Sequence, residues 1–403
     1  MHSPTRRSFL VTASSAATSL IVGNVATAFA ANETINVGVI GTGGRARHLM
    51  KALATIKGVR IIALCDVWDA AISQAAPLAD AKATATKASA ELLADQDVHA
   101  VLVGTPDHQH VPVTIAALQA GKDVYVEKPL THELSEGKAI LDAQAKAKRI
   151  VQVGTQQRSM THIIHAKELI QAGKIGKVLK VKMSWNRNTD RVKRFPLGVD
   201  PKSVDWKTFL GTAKDQPFDE YRFRNWRWFW DFGGGIFTDL MVHWIDVAHW
   251  ILEVDHPESA VSIGQHIAAK DVWETPDTVQ TLLTYPGNIQ MHFEGTFSNA
   301  RNAARIEFLG SEATMYIDRG RFELIPERGK KIEAMQEILG SGPLGADFYD
   351  KPDGELLHLQ NWIDCIRSRK EPTAPILAGV SSASAAHLAN QAMRTGQTAV
   401  WKG

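Results

Sequence analysis

A doubly wound α/β domain, followed by an α+β domain on an open, mostly antiparallel sheet, is the fold that this 403-residue sequence predicts. Three observations carry the expectation. Between Ile35 and Gly154 short β-branched runs alternate with longer amphipathic ones, the rhythm of parallel strands joined by helical crossovers. A glycine-rich turn stands directly between the first strand and the first helix. Beyond Gln156 the strands follow one another with little between the later ones but turns such as "YPGN" and "LGSEAT", which favours antiparallel pairing. The domain boundaries expected are 32–155 and 156–403.

In the first domain the strands are "INVGVIG", "VRIIALCD", "AVLVG", "DVYVE" and "IVQVG", with helices between them, the first from about Arg45 to Ile56. In the second they are "GKVLKVKMSWNR", "AVSIGQHIAA", "TVQTLLTY", "IQMHFEGTF", "ARIEFLG" and "ATMYID". "GELLHLQNWIDCIRSR" and "GVSSASAAHLANQAMRT" close the chain as helices bracketed by proline-containing connections, and "GPLGADFYDKPDG" is a loop.

A composition of 44% hydrophobic and 22% charged residues excludes a disordered or fibrous chain. Residues 1–31 differ from the rest. Arg6 and Arg7 precede an uncharged run from Val11 to Phe29, and Ala28-Phe29-Ala30 forms a small-x-small site cleavable after Ala30. This is the pattern of a twin-arginine export signal, which sends the mature chain to the periplasm or outside the cell by the twin-arginine machinery. The run is too rich in Ser, Thr and Ala for a membrane anchor. Removing it takes two arginines and no carboxylate, so the formal charge of +2 falls to zero. A neutral chain has no electrostatic reason to bind nucleic acid or an anionic membrane. Cys65 and Cys365 are the only cysteines, expected as buried thiols rather than a disulfide framework.

"VGVIGTGGRA" sets Gly41, Gly43 and Ala46 at G-x-G-x-x-A spacing, with Gly44 and Arg45 inside the turn. Glycines permit the turn and close backbone approach, and the helix start offers N–H groups to a pyrophosphate. Asp66 ends the second strand, where a carboxylate accepts from both hydroxyls of an adenosine ribose. NAD is therefore expected, tightly bound; Arg45, able to offset a 2′-phosphate, keeps NADP as the alternative. Ligands of such sheets bind outside the carboxyl ends of the strands. Two such ends carry "GTPDHQH", with Thr105, Pro106 and His110, and Glu127-Lys128-Pro129. At that place Lys128 can hydrogen-bond a substrate hydroxyl and stabilise a developing alkoxide; a surface lysine paired with Glu127 is the plainer reading.

"GTPDHQH", "GKDVYVEKPL", "VQVGTQQRS" and "GGGIFTDLMVHWIDVAHWIL", in this order behind the glycine turn, resemble the glucose-fructose oxidoreductase/inositol dehydrogenase family (Gfo/Idh/MocA). The resemblance spans the mature chain. It implies a Rossmann domain, an open second sheet, a catalytic Lys128, an Asp239/His243 pair with His243 as acid/base, and a dimer or tetramer. The spacing itself puts Asp239 and His243 on one face of the helix after Gly233, Gly234 and Gly235. A helix N-terminus favours the neutral imidazole that a base needs, and Asp246 is placed to help hold the ring. A capping Asp239 and a core His243 are the alternatives.

For the substrate, Trp226, Trp228 and Trp230 alternate, so an extended segment would set them on one face, stacked on pyranose rings or packed in a core. Trp185, in "SWNRNTDR", joins them. Gln156, Gln157 and Arg158 leave another strand end as hydroxyl partners or as a fastening between domains. His108 and His110 lack further ligands at useful spacing, so no metal is expected. Together these residues point to an NAD(P)-dependent oxidoreductase acting on a C–OH group of a sugar, glycoside or polyol, with Lys128 and His243 at the hydride transfer and the cofactor recycled in place. The alternatives are an NAD-dependent glycosidase working by transient oxidation and elimination and a carbohydrate receptor. Lys128, Asp239 and His243 speak against the receptor.

Overall fold

Strand β1 (Ile35–Ile40) and its neighbour β4 (Ala100–Val103) are apolar and buried almost throughout, as strands covered on both faces must be. They lie at the centre of a six-stranded sheet with β2 (Val59–Cys65), β3 (Thr84–Thr86), β5 (Asp123–Val126) and β6 (Val151–Val153). The order is β3-β2-β1-β4-β5-β6 and every pairing is parallel. Helices α1 (Gly44–Leu53), α2 (Asp69–Ala75), α3 (Ser89–Ala94), α4 (Asp107–Gln119) and α5 (Glu136–Ala147) make the crossovers. The order reverses between β1 and β4, which opens a crevice at their carboxyl ends. This computed structural model describes residues 34–339 and 354–402. The export segment and the loop from 342 to 353 lie outside the described residues.

After α6 (Thr161–Gln171) and β7 (Val178–Asn186), the chain makes a long excursion through α7 (Trp206–Leu210) and α8 (Glu220–Arg224) to the buried helix α9 (Val242–Leu252). Strands β8 (Ser259–Gln265), β9 (Thr278–Tyr285), β10 (Ile289–Thr296), β11 (Ala304–Gly310), β12 (Ala313–Asp318), β13 (Arg321–Pro326) and β14 (Met335–Ile338) follow, then α10 (Gly354–Ser368), α11 (Ile376–Thr395) and β15 (Ala399–Val400). The nine-stranded order is β14-β13-β12-β11-β7-β10-β9-β8-β15. All its pairings are antiparallel except β7 with β10, which are joined through the excursion rather than a hairpin. One face of this sheet packs against α9 and α11 in the larger core. The other leaves Val261, Ile263, Leu282 and Ile325 exposed.

Two arrangements depart from the sequence reading. The strands β3, β13, β14 and β15 were not expected. Helix α10, assigned by chain order to the second domain, sends Leu359, Trp362, Ile363 and Ile366 into the first domain's core beside Val37, Leu49 and Leu102. The chain thus returns to cover the first sheet after completing the second. Cys65 and Cys365 are both free and buried, as expected.

Candidate active site

At the crevice a cavity of about 800 Å³ runs from the glycine turn to the second domain. Gly41 has φ +82°, and a Cβ there would lie 2.6 Å from the Thr105 backbone nitrogen, so only glycine lets the β1 and β4 exits meet. Gly43 and Gly44 differ: a Cβ on either meets nothing within 4 Å. Both line the cavity, and α1 begins there with neither a side-chain cap nor an acidic residue in its first turn. An uncapped, glycine-walled helix start fits a pyrophosphate. Ala46 is fully buried against Gly104, which lets α1 approach the sheet closely.

Asp66 also lines the cavity. Its Oδ2 accepts from the Thr42 backbone N–H at 2.7 Å, and its Oδ1 from that of Trp68 at 3.0 Å. Burial raises its proton affinity, and these hydrogen bonds act in the other direction. The carboxylate is therefore aimed by the backbone with lone pairs to spare for a ribose. Thr105 and Pro106 line the wall, and Thr105 Oγ1 is buried with no partner among the described residues. These features together fit a dinucleotide. Arg45 is not placed to offset a 2′-phosphate: its guanidinium is held by Glu127 (2.9 Å) and by Glu355 at the start of α10, which also binds His48. Glu127 is thus an anchor for Arg45, packed so closely on Gly154 that a Cβ there would lie 2.8 Å from its Oε1. His110 packs between the carbonyls of Pro129 (Nδ1, 2.6 Å) and Thr105 (Nε2, 3.0 Å), donating to one of them as a neutral ring, and burial lowers its pKa to about 4. It ties two strand exits together.

The chemistry gathers where those exits face α9. Lys128, whose peptide bond to Pro129 is cis, extends its Nζ to the Asp239 carbonyl at 2.6 Å and to Asp239 Oδ1 at 3.0 Å. Asp239 is not a helix cap. It sits within a π-turn, Phe237–Met241, that leads into α9; such a bulge breaks the regular i→i−4 ladder and makes a carbonyl available to the lysine. Arg227 Nε reaches the same Oδ1 at 3.1 Å. Burial would raise this carboxyl, but Lys128, Arg227 and Arg187 outweigh it and drive it well below the usual carboxylate range. His243 follows one turn on, buried, with Nδ1 donating to Gln157 Oε1 at 3.1 Å and its ring 5.1 Å from that of Trp185. That bond leaves the lone pair on Nε2. Burial first, then the charges of Lys128 and Arg319, push the imidazole well below its ordinary pKa. Beside this group Asp107, also buried, has its carboxyl raised well above the normal range by desolvation.

Four expectations need correction. Arg158 does not line the cavity: its Nε and Nη2 hold Asp246 at 2.8 and 2.9 Å, so it fastens β6 to α9. Asp246 is consequently committed to Arg158, and Gln157 orients His243 in its place. The tryptophans share no face, because Trp226–Trp228 is a 3₁₀ turn. Trp226 and Trp228 both reach the cavity wall, yet Trp228 is almost fully buried with one ring face stacked on Trp273 at 4.1 Å, and Trp226 lies under Arg227, as Trp230 does under Arg394. Gln156 and Trp185 do line the cavity. The sequence reading passed over Arg187, Arg191, Arg227 and Arg319, which line it too; the first three stand inside the "SWNRNTDR" and "RNWRWFWDF" stretches examined for their tryptophans.

Two models describe known relatives of these residues. That of an oxidoreductase family with an NAD-binding Rossmann fold matches 35–155, and that of the GFO/IDH/MocA C-terminal domain matches 163–316. The inositol 2-dehydrogenase of Salmonella typhimurium (strain LT2) is 26% identical over 226 residues, 55% of this chain and 56% of that one. Inositol 2-dehydrogenase 3 of Saccharopolyspora erythraea is 38% identical over 146 residues, 36% of this chain and 42% of the relative. The chain thus spans about half the length of these curated relatives. Among solved structures, a levoglucosan dehydrogenase in complex with NADH and levoglucosan superposes with a TM-score of 0.72 at 18% identity, over 91% of this chain and 99% of that one, a likeness of fold.

Proposed function

The chain belongs to the Gfo/Idh/MocA oxidoreductase family, with its NAD-binding Rossmann fold, and from that premise we propose that it is an NAD-dependent dehydrogenase acting on a C–OH group of a sugar, glycoside or polyol. The observation that carries the proposal is the gathering of Lys128, Asp239 and His243, from separate domains, in the wall of the cavity that also holds the glycine turn, with His243 within electrostatic reach of the other two. Bound NAD supplies the hydride acceptor.

The side chains have complementary tasks. Lys128 Nζ spends two donors on Asp239 and keeps a third for the substrate hydroxyl oxygen, whose growing negative charge it stabilises. His243 Nε2 takes the hydroxyl proton, since Nδ1–H is already engaged by Gln157. Its lowered pKa keeps the ring in the base form throughout the neutral range. Asp239 holds the Lys128 Nζ in place through its carbonyl and its carboxylate. Gly43, Gly44, Thr105 and Asp66 would hold the cofactor.

The same reading extends to the cofactor's fate and the protein's location. The Arg6-Arg7 motif supports export of a folded chain with its cofactor already bound, recycled in place by oxidising one substrate and reducing another. The exposed Val261, Ile263, Leu282 and Ile325 support association through the open sheet face as a dimer or tetramer. The test begins with release of dinucleotide on denaturing the purified protein. Sugars and polyols are then added to the native protein while reduced-nicotinamide absorbance is followed. Lys128→Ala and His243→Ala are expected to retain dinucleotide and lose roughly 10²–10⁴-fold in hydride transfer. Either variant turning over at the parental rate refutes the assigned roles.

A further inference from the structure

Arg187, Arg191, Arg227 and Arg319 all line the cavity, Arg187 and Arg227 close to Asp239. Several buried or half-buried arginines elsewhere in the chain sit on carboxylates: Arg45 on Glu127, Arg158 on Asp246, Arg222 on Asp231 and Glu274, Arg369 on Asp123. Arg227 does the same with Asp239. Arg187, half-buried, and Arg191, exposed, differ, as Arg47 and Arg149 do: among the described residues no carboxylate lies within ion-pair distance of them, and of the four only Arg187 and Arg191 line the cavity. Arg187 lies over the Trp185 ring at 5.6 Å, as does Arg319, and Trp185 is the residue that packs on His243. Arg191 stands in a 3₁₀ turn just beyond β7, within electrostatic reach of Arg227, of the Asp239 carboxylate and of Arg187.

Structural packing alone does not account for this grouping. A guanidinium over an indole is stable without company, but Lys128 and these guanidiniums share the single Asp239 carboxylate, and a second anion would lower the Coulomb energy that one carboxylate leaves. The cofactor's phosphates do not supply that anion, since their cradle is the uncapped start of α1 at the glycine turn. We propose that the substrate is an anionic sugar, a uronate or a sugar phosphate, whose charged group is bound by Arg187 and Arg191 while its reacting hydroxyl meets Lys128 and His243. The inference rests on the dehydrogenase reading of this cavity and adds a substrate class to it. Arginine suits the task, because its planar fork matches carboxylate and phosphate oxygens.

The test uses the NAD-loaded protein and equilibrium binding, read by quenching of tryptophan fluorescence and by calorimetry. Matched probes are D-glucose, D-glucuronate and D-glucose 6-phosphate, and the corresponding galactose set. A charged member of one set is expected to bind about tenfold or more tighter than its neutral counterpart. That advantage should shrink between about 20 mM and about 500 mM salt, and again in Arg187→Gln and Arg191→Gln. Preference within the carboxylate or phosphate arm identifies the anion. Neutral sugars binding as tightly as charged ones, no charged probe binding at all, or an advantage untouched by both substitutions would overturn the proposal. Hydride transfer is followed in the same samples. Selective anion binding without turnover would remove the dehydrogenase reading and leave the anion site. Turnover of neutral sugars without anion preference would do the reverse.

Discussion

Lowering the pH from 7.5 to 5.5 is expected to destabilise the protein sharply, because it buries an unusual number of neutral histidines. Burial lowers the pKa of His108, His110, His358 and His387 to about 4, and of His249 to about 3. In the unfolded chain each titrates near 6.5. The folded value is depressed, so between the two values the unfolded state binds more protons, and stability rises with pH and falls as pH falls through 6.5. At pH 5.5 each imidazole costs a little over 1 kcal/mol, about 7 kcal/mol for the five. That is comparable with a whole protein's stability of about 5–15 kcal/mol. Asp66, Asp107 and Asp246 oppose the trend, since their raised proton affinities add stability as pH falls, while His162, His243 and His292, depressed as well, reinforce it. At about 1.5 °C per kcal/mol for a chain of this length, Tm should drop by about 10 °C. The assay is thermal unfolding by circular dichroism at the two pH values. His249→Gln isolates one contribution: that ring sits between the hydroxyls of Ser381 and Tyr285, each at 2.7 Å, which an amide can also satisfy. The variant should show a drop smaller by about a fifth. A Tm that is flat or rising from pH 7.5 to 5.5 would refute the reasoning.

Three further outcomes follow from the geometry. Asp246→Asn leaves Arg158 as a buried cation and should cost about 3–5 kcal/mol, seen as a lower Tm with unchanged affinity for NAD below the transition; a parental Tm would show that the pair does not fasten the domains. Asp66→Ser should weaken NAD about tenfold and narrow the gap to NADP, measured by nucleotide titration; an unchanged ratio would remove Asp66 from the ribose. Gly41→Ala should fail to fold stably, since φ is +82° and the new Cβ meets the Thr105 nitrogen, whereas Gly43→Ala, facing open space, should keep its Tm and bind dinucleotide more weakly. Equal Tm values for the two glycine variants would contradict the packing described for Gly41.

The contrast between Lys128 and its partners shows which parts of such a site a sequence can disclose. The buried strands β1, β2, β4, β5 and β6 declare themselves by unbroken apolar runs, and their carboxyl ends are then a property of the fold, so a lysine or aspartate placed there can be picked out by position. β3, with only Thr84–Thr86, is too short to leave a periodic signal. What a lysine at such an end touches is a separate matter. Its anchor, Asp239, lies 111 residues away and offers a carbonyl because α9 is entered through a π-turn, which no side-chain pattern announces. The pairing of Arg158 with Asp246 is equally non-local, 88 residues apart, and it reassigned two residues at once: Asp246 left the imidazole, and Gln157 took its place. Both ion pairs cross from the exits of the first sheet to α9 and the π-turn that leads into it. The same contact that docks the domains therefore sets the ammonium, orders the imidazole and lowers the Asp239 carboxyl. Neither domain holds that arrangement alone, and for this reason its elements were legible one by one while their chemistry depended on the assembled fold.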